Sequence, residues 1–453
     1  MLKAGEVKGP NLNRNINLFQ AVMYGVGLIL GAGIYVLIGD VAAIAGNAMW
    51  ISFGIAAIIA AFTGLSYAEL SSMFPKSAAE YVFAMNAFQN KMIAFVVGWL
   101  IIFVAIVSSA AVAIGFSGYL AIFFPEFEPV LLAVALIIGL SAVNFVGIRE
   151  SIWMNTTFTF IEFAGLAIVV VGAVLLGSFS QEDYLELPTA SASFPLSFGA
   201  ILAAAGLVFF AYYGFENLAN VAEETKNASK TIPKALIISI IATTLIYILV
   251  AMSAIALVGW ENLSSSDAPL AMAAEKAFGR IGVNVLSAIA LFATSNTVLM
   301  MLVAASRIVF GMAKEHALPT ALGRVHFRTK TPWSAIVLTT LIAIAAVVLS
   351  RGSILILANI AVFSIFMVYV TVNMSLIWLR YKRPQLDRPF KSPISIGWFP
   401  VLAGLGFATS LAMLTQFDIL TMIAGAAVVA AGLASYAIIG RTKNTEDMGE
   451  DKS

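Results

Sequence analysis

Apolar residues run along this chain in blocks long enough to cross a bilayer, parted by short polar connections. The blocks fall at 17–45, 48–74, 92–119, 130–147, 153–177, 199–222, 233–258, 282–312, 333–350, 353–379, 398–415 and 419–440. A hydrocarbon core about 30 Å thick takes about 20 residues of helix, so the pattern predicts twelve membrane-spanning helices. Helices are expected because each satisfies its own backbone polar groups in lipid. Two connections read as structured. Pro75 to Asn90 is amphipathic, which suits a short cytoplasmic or re-entrant helix, and Ala268 to Phe278, within the external connection 259–281, reads as a surface helix.

Two blocks are poor material for a continuous helix. Gly25, Gly27, Gly31 and Gly33 fall within nine residues of the first, and each costs about 1 kcal/mol relative to alanine in a helix interior. This stretch reads as a broken helix whose bare N–H groups form an anion site at a half-helix N-terminus. The alternative is a glycine face that lets two helices approach closely. The sixth block carries a second interruption, Phe209-Phe210-Ala211-Tyr212-Tyr213-Gly214-Phe215-Glu216-Asn217. The two breaks lie five blocks apart, at the first helix of two five-helix units, 17–177 and 199–379. Five is odd, so the units insert in opposite orientations. That is the pattern of an inverted-repeat transporter with its site at the midplane. The expected fold is an all-α integral membrane protein, one polytopic domain over 1–453, with 398–440 as two helices outside the repeat. A six-plus-six arrangement pairs the first block with the seventh, where Ala235 to Val258 shows no break.

Charge tests this topology. With the N-terminus inside, the cytoplasmic segments and the inner ends of the blocks beside them hold 22 of the 25 Lys and Arg, leaving Lys276, Arg280 and Arg351 outside. The external loops carry Glu126, Glu128, Glu182, Asp183 and Glu186 instead. The positive-inside rule therefore places both termini in the cytoplasm of a cell whose plasma membrane the chain spans. Hydrophobic residues make up 61% of the chain, which leaves no room for a separate soluble domain. A net charge of +1 gives no electrostatic case for nucleic acid. The chain has no cysteine, which excludes thiolate metal sites and argues against a disulfide-linked subunit. The polar N-terminus and the length of the first block speak against a cleavable signal.

Four segments in order, 25–34, Phe209 to Pro233, Ser306 to Pro319 and Arg380 to Pro393, resemble the amino acid–polyamine–organocation superfamily, and its amino acid permeases in particular. Asn227-Ala228 departs from the usual Asn-Pro in a cytoplasmic loop. The resemblance implies a five-plus-five inverted repeat working by alternating access. It implies a substrate α-carboxylate held by amides near Gly31, Ala32 and Gly33, and an α-ammonium meeting carbonyls near Ile29, Phe210 and Tyr213. The residues agree, since a zwitterion needs donors at one end and acceptors at the other. The side-chain pocket is expected from Phe103 to Ser109, Phe210, Tyr213, Gly214, Phe215, Phe292, Asn296 and Phe363. No acid sits in Gly98 to Val104, which favours a neutral or apolar amino acid.

Glu162 lies in mid-span, where a carboxylate costs about 2.5–3.5 kcal/mol. Proton-coupled relatives place a lysine near this position. Glu162 is expected to carry a coupling proton, or to join Thr294, Ser295 and Thr297 in a Na⁺ site; a hydrogen-bonded structural carboxyl is the alternative. Glu216 is expected either in a cytoplasmic gate, as the resemblance implies, or as a cap for amides of the broken segment. Glu69 is expected to pair with a basic group, with Arg307 a candidate, and Glu223 and Glu224 to lie on a solvated face. His316 and His326 share a loop without an acidic cluster, so no resident metal or other cofactor is expected. The leading function is secondary transport of an amino acid by symport with H⁺ or Na⁺, or by exchange; an amine or polyamine carrier is the alternative. No nucleophile–base–acid set supports a membrane-embedded enzyme, and no filter repeat supports a channel.

Overall fold

Helices follow the apolar blocks. In the computed structural model, which describes residues 16–121, 123–180, 183–187, 196–266 and 268–450, α1 (Leu18–Leu30) and α2 (Ala32–Ala45) share the first block and α3 (Met49–Met73) fills the second. Residues 1–15 and Glu182 lie outside the described residues. After the connecting helix α4 (Ala79–Phe88) come α5 (Lys91–Ala121), α6 (Pro129–Val146) and α7 (Ile148–Leu175). The sixth block divides into α8 (Leu196–Tyr212) and the single turn α9 (Asn217–Asn220). Then follow α10 (Ala228–Ser264), α11 (Pro269–Lys314), α12 (Trp333–Leu349), α13 (Ile354–Lys382), α14 (Val401–Leu414) and α15 (Ile419–Glu450). Among the described residues, nine helical stretches are long and apolar enough to cross a membrane, with Leu18–Met73 counted as one; α12 and α14 are shorter apolar helices.

Local chemistry sets several ends. Asn17 opens α1 through a reciprocal cap: its Oδ1 accepts from the Gln20 N–H (2.9 Å), and Gln20 Oε1 accepts from the Asn17 N–H (3.1 Å). α10 and α11 each turn at a glycine in the left-handed region, Gly259 (φ 74°) and Gly279 (φ 62°). The Gly279 turn folds Pro269–Phe278 back, so Leu270, Ala271, Ala273 and Ala274 are buried. The expected surface helix is thus packed inward along an alanine-rich face. α4 departs from its amphipathic reading in the same way, with Ala79 to Ala84 and Ala87 buried. A two-residue hairpin, Ser395–Ile396 with Phe399–Pro400, precedes α14 and has no counterpart in the hydropathy pattern.

The interrupted elements sit at the centre. α1 packs on α10 and α7, α2 on α8, α5 along α11, and α3 along α10. α15 is peripheral, with 11% of its apolar window buried against 78% for α11. Its bare apolar face suits a lipid contact.

Candidate functional site: two helix breaks held backbone to backbone

Both breaks form where the glycines lie. Gly31 alone separates α1 from α2 (φ −41°, ψ −145°). Tyr213 to Glu216 separates α8 from α9, and Gly214 sits there at φ 124°. The breaks face one another with little side chain between them. A Cβ at Gly33 would lie 2.4 Å from Ala211 Cα, and one at Gly214 3.3 Å from the Leu28 carbonyl oxygen. The two readings of the glycine run, a break and a close-packing face, therefore both hold, at Gly31 and Gly33 respectively. Ile29, Ala32, Phe210, Tyr213 and Phe215 are all buried.

A helix break frees backbone groups that must find partners. The Ala32 N–H donates to Thr297 Oγ1 (3.0 Å), whose hydroxyl turns to the Ala293 carbonyl (3.2 Å). Gly31 makes room for this cap, since a Cβ there would fall 1.8 Å from Thr297 Oγ1. Across the site, the Tyr247 hydroxyl of α10 lies against the Ile29 carbonyl and 3.1 Å from that of Ala211. One hydroxyl thus spans the last carbonyls of both broken helices. At the second break, Glu216 Oε2 accepts from the Gly214 N–H (2.9 Å) and the Tyr369 hydroxyl (2.8 Å), and its Oε1 from Asn217 Nδ2 (3.4 Å).

Glu162 is fully buried on α7. Its Oε1 accepts from Asn296 Nδ2 (2.9 Å). Its Oε2, Asn155 Oδ1 and Asn296 Oδ1 are buried without a hydrogen-bond partner. Gly27 brings α1 against this group: a Cβ there would lie 2.2 Å from Thr159 Oγ1 and 2.8 Å from Asn155 Oδ1. The residue of α11 that meets Glu162 is Asn296, rather than Thr294 or Ser295. The Thr294 hydroxyl bonds its own helix at Ala290 (2.7 Å), Thr297 is the cap of α2, and Ser295 is half-buried. Orphaned acceptors at such depth call for a donor or a cation.

Other expectations are corrected. Phe292 is 42% exposed, its ring 5.2 Å from that of Phe158, so it faces outward rather than into a pocket. Glu69 pairs with the guanidinium groups of Arg380 and Arg388, the latter at 3.2 Å, and accepts from the Ser392 N–H (2.8 Å). Arg307 instead donates to Asn144 Oδ1 (2.6 Å). Glu224 is buried, not solvated, and Glu223 Oε1 accepts from the Ser77 N–H (3.0 Å). Tyr247, Asn155 and Thr159 escaped the sequence reading; Asn155, Thr159 and Glu162, spaced by four and three, mark one face of a helix.

Interrupted helices held inside a shell of long apolar ones are the build of a multi-pass membrane protein. The model of the amino acid permease family matches residues 16–440, and the chain belongs to that family. It is 28% identical to the branched-chain amino acid permease BcaP of Bacillus subtilis, over 95% of this chain and 94% of that one. It is 27% identical to the methylthioribose transporter of Bacillus subtilis, over 86% of each chain. It is 29% identical to human cationic amino acid transporter 4, over 84% of this chain and 62% of the human one.

Proposed function

We propose that this protein is a secondary active transporter that carries a neutral, apolar amino acid across the plasma membrane by alternating access. The observation that carries the reading is the pair of facing breaks. They gather amides at the start of α2 and carbonyls at the ends of α1 and α8 around one buried point. A zwitterion presents the complementary charges, its carboxylate to amides at a helix N-terminus and its ammonium to carbonyls. Binding then exchanges the Thr297 and Tyr247 contacts for substrate contacts at Gly31, Ala32, Gly33 and Ile29, with Phe210, Tyr213, Gly214 and Phe215 around the side chain. In this reading the chain crosses the bilayer twelve times with both termini cytoplasmic, and 17–177 and 199–379 are inverted repeats. The apolar run of α5 from Gly98 to Val104 and the likeness to a branched-chain permease support an apolar substrate.

Coupling falls to Glu162. A protonated Glu162 adds one O–H donor to a buried group with more acceptors than donors; an ionised one offers carboxylate oxygens to Na⁺ beside the Asn296 amide. Gly27 packs on this group, so its occupancy bears directly on the position of α1.

A thermal-shift screen of the purified protein against the twenty amino acids, simple amines and methylthioribose, with and without Na⁺, tests the reading. A ligand stabilises by an amount set by its concentration over its Kd. Stabilisation by leucine, isoleucine or valine, followed by their uptake into proteoliposomes, is the expected result. Stabilisation by decarboxylated amines alone, or by methylthioribose alone, overturns the amino acid assignment.

A further inference from the structure

The inner half of the sixth block is pinned to the connection that leads into α4. Asn220 Oδ1 accepts from the Ala79 N–H (2.8 Å), and Asn220 Nδ2 donates to both carboxyl oxygens of Glu80 (3.3 and 3.2 Å). Three residues on, Glu223 accepts from the Ser77 N–H. The segment before α1 joins the same end: the Ile16 N–H donates to the Glu224 carbonyl (3.0 Å) and the Lys226 N–H to that of Ile16 (2.8 Å). Together these contacts tie the segment before α1, the turn after the second break and the start of α4 to one another.

Glu80 is the unusual member of this latch. It is fully buried, and the groups that face it are the Tyr67 hydroxyl from α3, the Asn220 amide from α9, Tyr369 from α13 and the Glu216 carboxyl. None is a cation. The Tyr67 ring packs edge-on against those of Phe83, Phe215 and Tyr369, with centroids 5.8–5.9 Å apart, and the Tyr369 hydroxyl rests on Glu216. Two buried carboxyls therefore stand at the ends of one tyrosine pair. The Tyr67 hydroxyl is buried with no other partner, so it is free to donate to the carboxylate or to accept from the acid.

We propose that Glu80 is a proton-binding group of the inner gate, protonated while α4 is latched to Asn220 and deprotonated when the latch parts and water reaches it. The proposal rests on the alternating-access reading above. Burial without a neighbouring cation pushes the Glu80 carboxyl up to about 7; in an open, hydrated gate it returns to about 4.3. The proton thus binds the closed gate more tightly. Its contribution to closure is complete below the open-gate value and is lost as pH rises through about 7. Opening releases the proton to the side that α4 faces.

The absence of cysteine makes the test direct. A single cysteine replacing Ala219, which is buried under the latch, reports opening through its reaction with a membrane-impermeant maleimide applied from the α4 side. Rates are normalised to unfolded protein at each pH. Labelling is expected to rise through about pH 7. With Glu80→Gln it is expected to stay low and lose that dependence. Tyr67→Phe keeps the ring but removes the hydroxyl that steadies the carboxylate, so the midpoint moves up by about 0.5–1 pH unit. A parental profile in Glu80→Gln, or an unmoved midpoint in Tyr67→Phe, overturns the proposal; if Glu80→Gln does not fold, Tyr67→Phe decides alone. Uptake by the same vesicles separates the two readings. Transport with pH-flat labelling refutes the proton site only, and pH-dependent labelling without transport of any amino acid refutes the transporter reading only.

Discussion

Gly33→Ala tests whether the two breaks must touch backbone to backbone. The added Cβ would lie 2.4 Å from Ala211 Cα, 2.6 Å from its Cβ and 3.1 Å from its nitrogen. These atoms belong to main chain or to a methyl group with no rotamer, so relief requires α2 and α8 to part by about 1 Å. Overpacking of this kind costs about 1–3 kcal/mol, and here the strain falls on the two elements that form the site. Gly54→Ala is the matched control, because a Cβ there meets nothing within 4 Å; it removes a flexible residue from α3 and is expected to be neutral or stabilising by up to about 1 kcal/mol. Melting of the purified variants and initial uptake rates in proteoliposomes read the difference. Gly33→Ala should melt a few degrees lower and lose most uptake, while Gly54→Ala keeps both. Adding Ala211→Gly removes only the Cβ contact and leaves the tighter Cα one, so rescue should be partial. Parental uptake by Gly33→Ala would show that the gap between the broken helices is not set by backbone contact.

Glu162→Gln keeps the shape of the side chain and removes its titration, so uptake should lose its dependence on pH or Na⁺ while the protein still melts cooperatively; an unaltered profile for both ions removes Glu162 from coupling. Thr297→Val keeps the volume of the cap and strips the acceptor from the Ala32 N–H, which should cost about 0.5–2 kcal/mol in thermal stability. Gly31→Ala should be better tolerated beside Thr297→Ala than alone, because the oxygen it strikes is then gone. Glu69→Ala leaves two guanidinium groups buried without their counter-charge and should cost about 3–5 kcal/mol, read as a large fall in melting temperature.

The parts that were legible in the sequence are those the bilayer dictates locally. A block of about 20 apolar residues has few alternatives to a helix in lipid, and helices occupy every block from Leu18 to Ile439. The glycines of 25–33 and Gly214 signal a break because no other residue would be spent there. What stayed hidden is pairing over distance. Ala32 and Thr297 stand 265 positions apart, and Glu69 and Arg380 stand 311. No periodicity encodes such partners, so the sequence pairs Glu69 with Arg307, whereas its partners are Arg380 and Arg388. α4 misled for a related reason. Its amphipathic pattern suggested a wet face, whereas Asn220, 140 residues on, donates to the Glu80 carboxyl inside the protein.

The buried carboxyls divide by what surrounds them, and the division bears on which of them can move a proton. Glu69 has two guanidinium groups and a backbone amide, and removing any of these leaves a charge stranded. A group held so firmly in one ionisation state is fit to fasten the 380–392 connection to α3 and unfit to cycle. Glu162 has one amide donor and a bare second oxygen, and Glu80 has an amide donor and faces the unpartnered Tyr67 hydroxyl; no cation is bonded to either. For these two, taking up a proton removes a charge that no neighbouring cation balances, whereas protonating Glu69 strands two guanidinium groups. The Tyr35 hydroxyl of α2, just past the first break, donates to the Glu162 carbonyl (3.1 Å), and Asn220, in the turn that follows the second, donates to Glu80. A proton held at either position therefore acts on one interrupted helix, and each site can be emptied without dismantling the ion cluster that keeps α3 and α13 together.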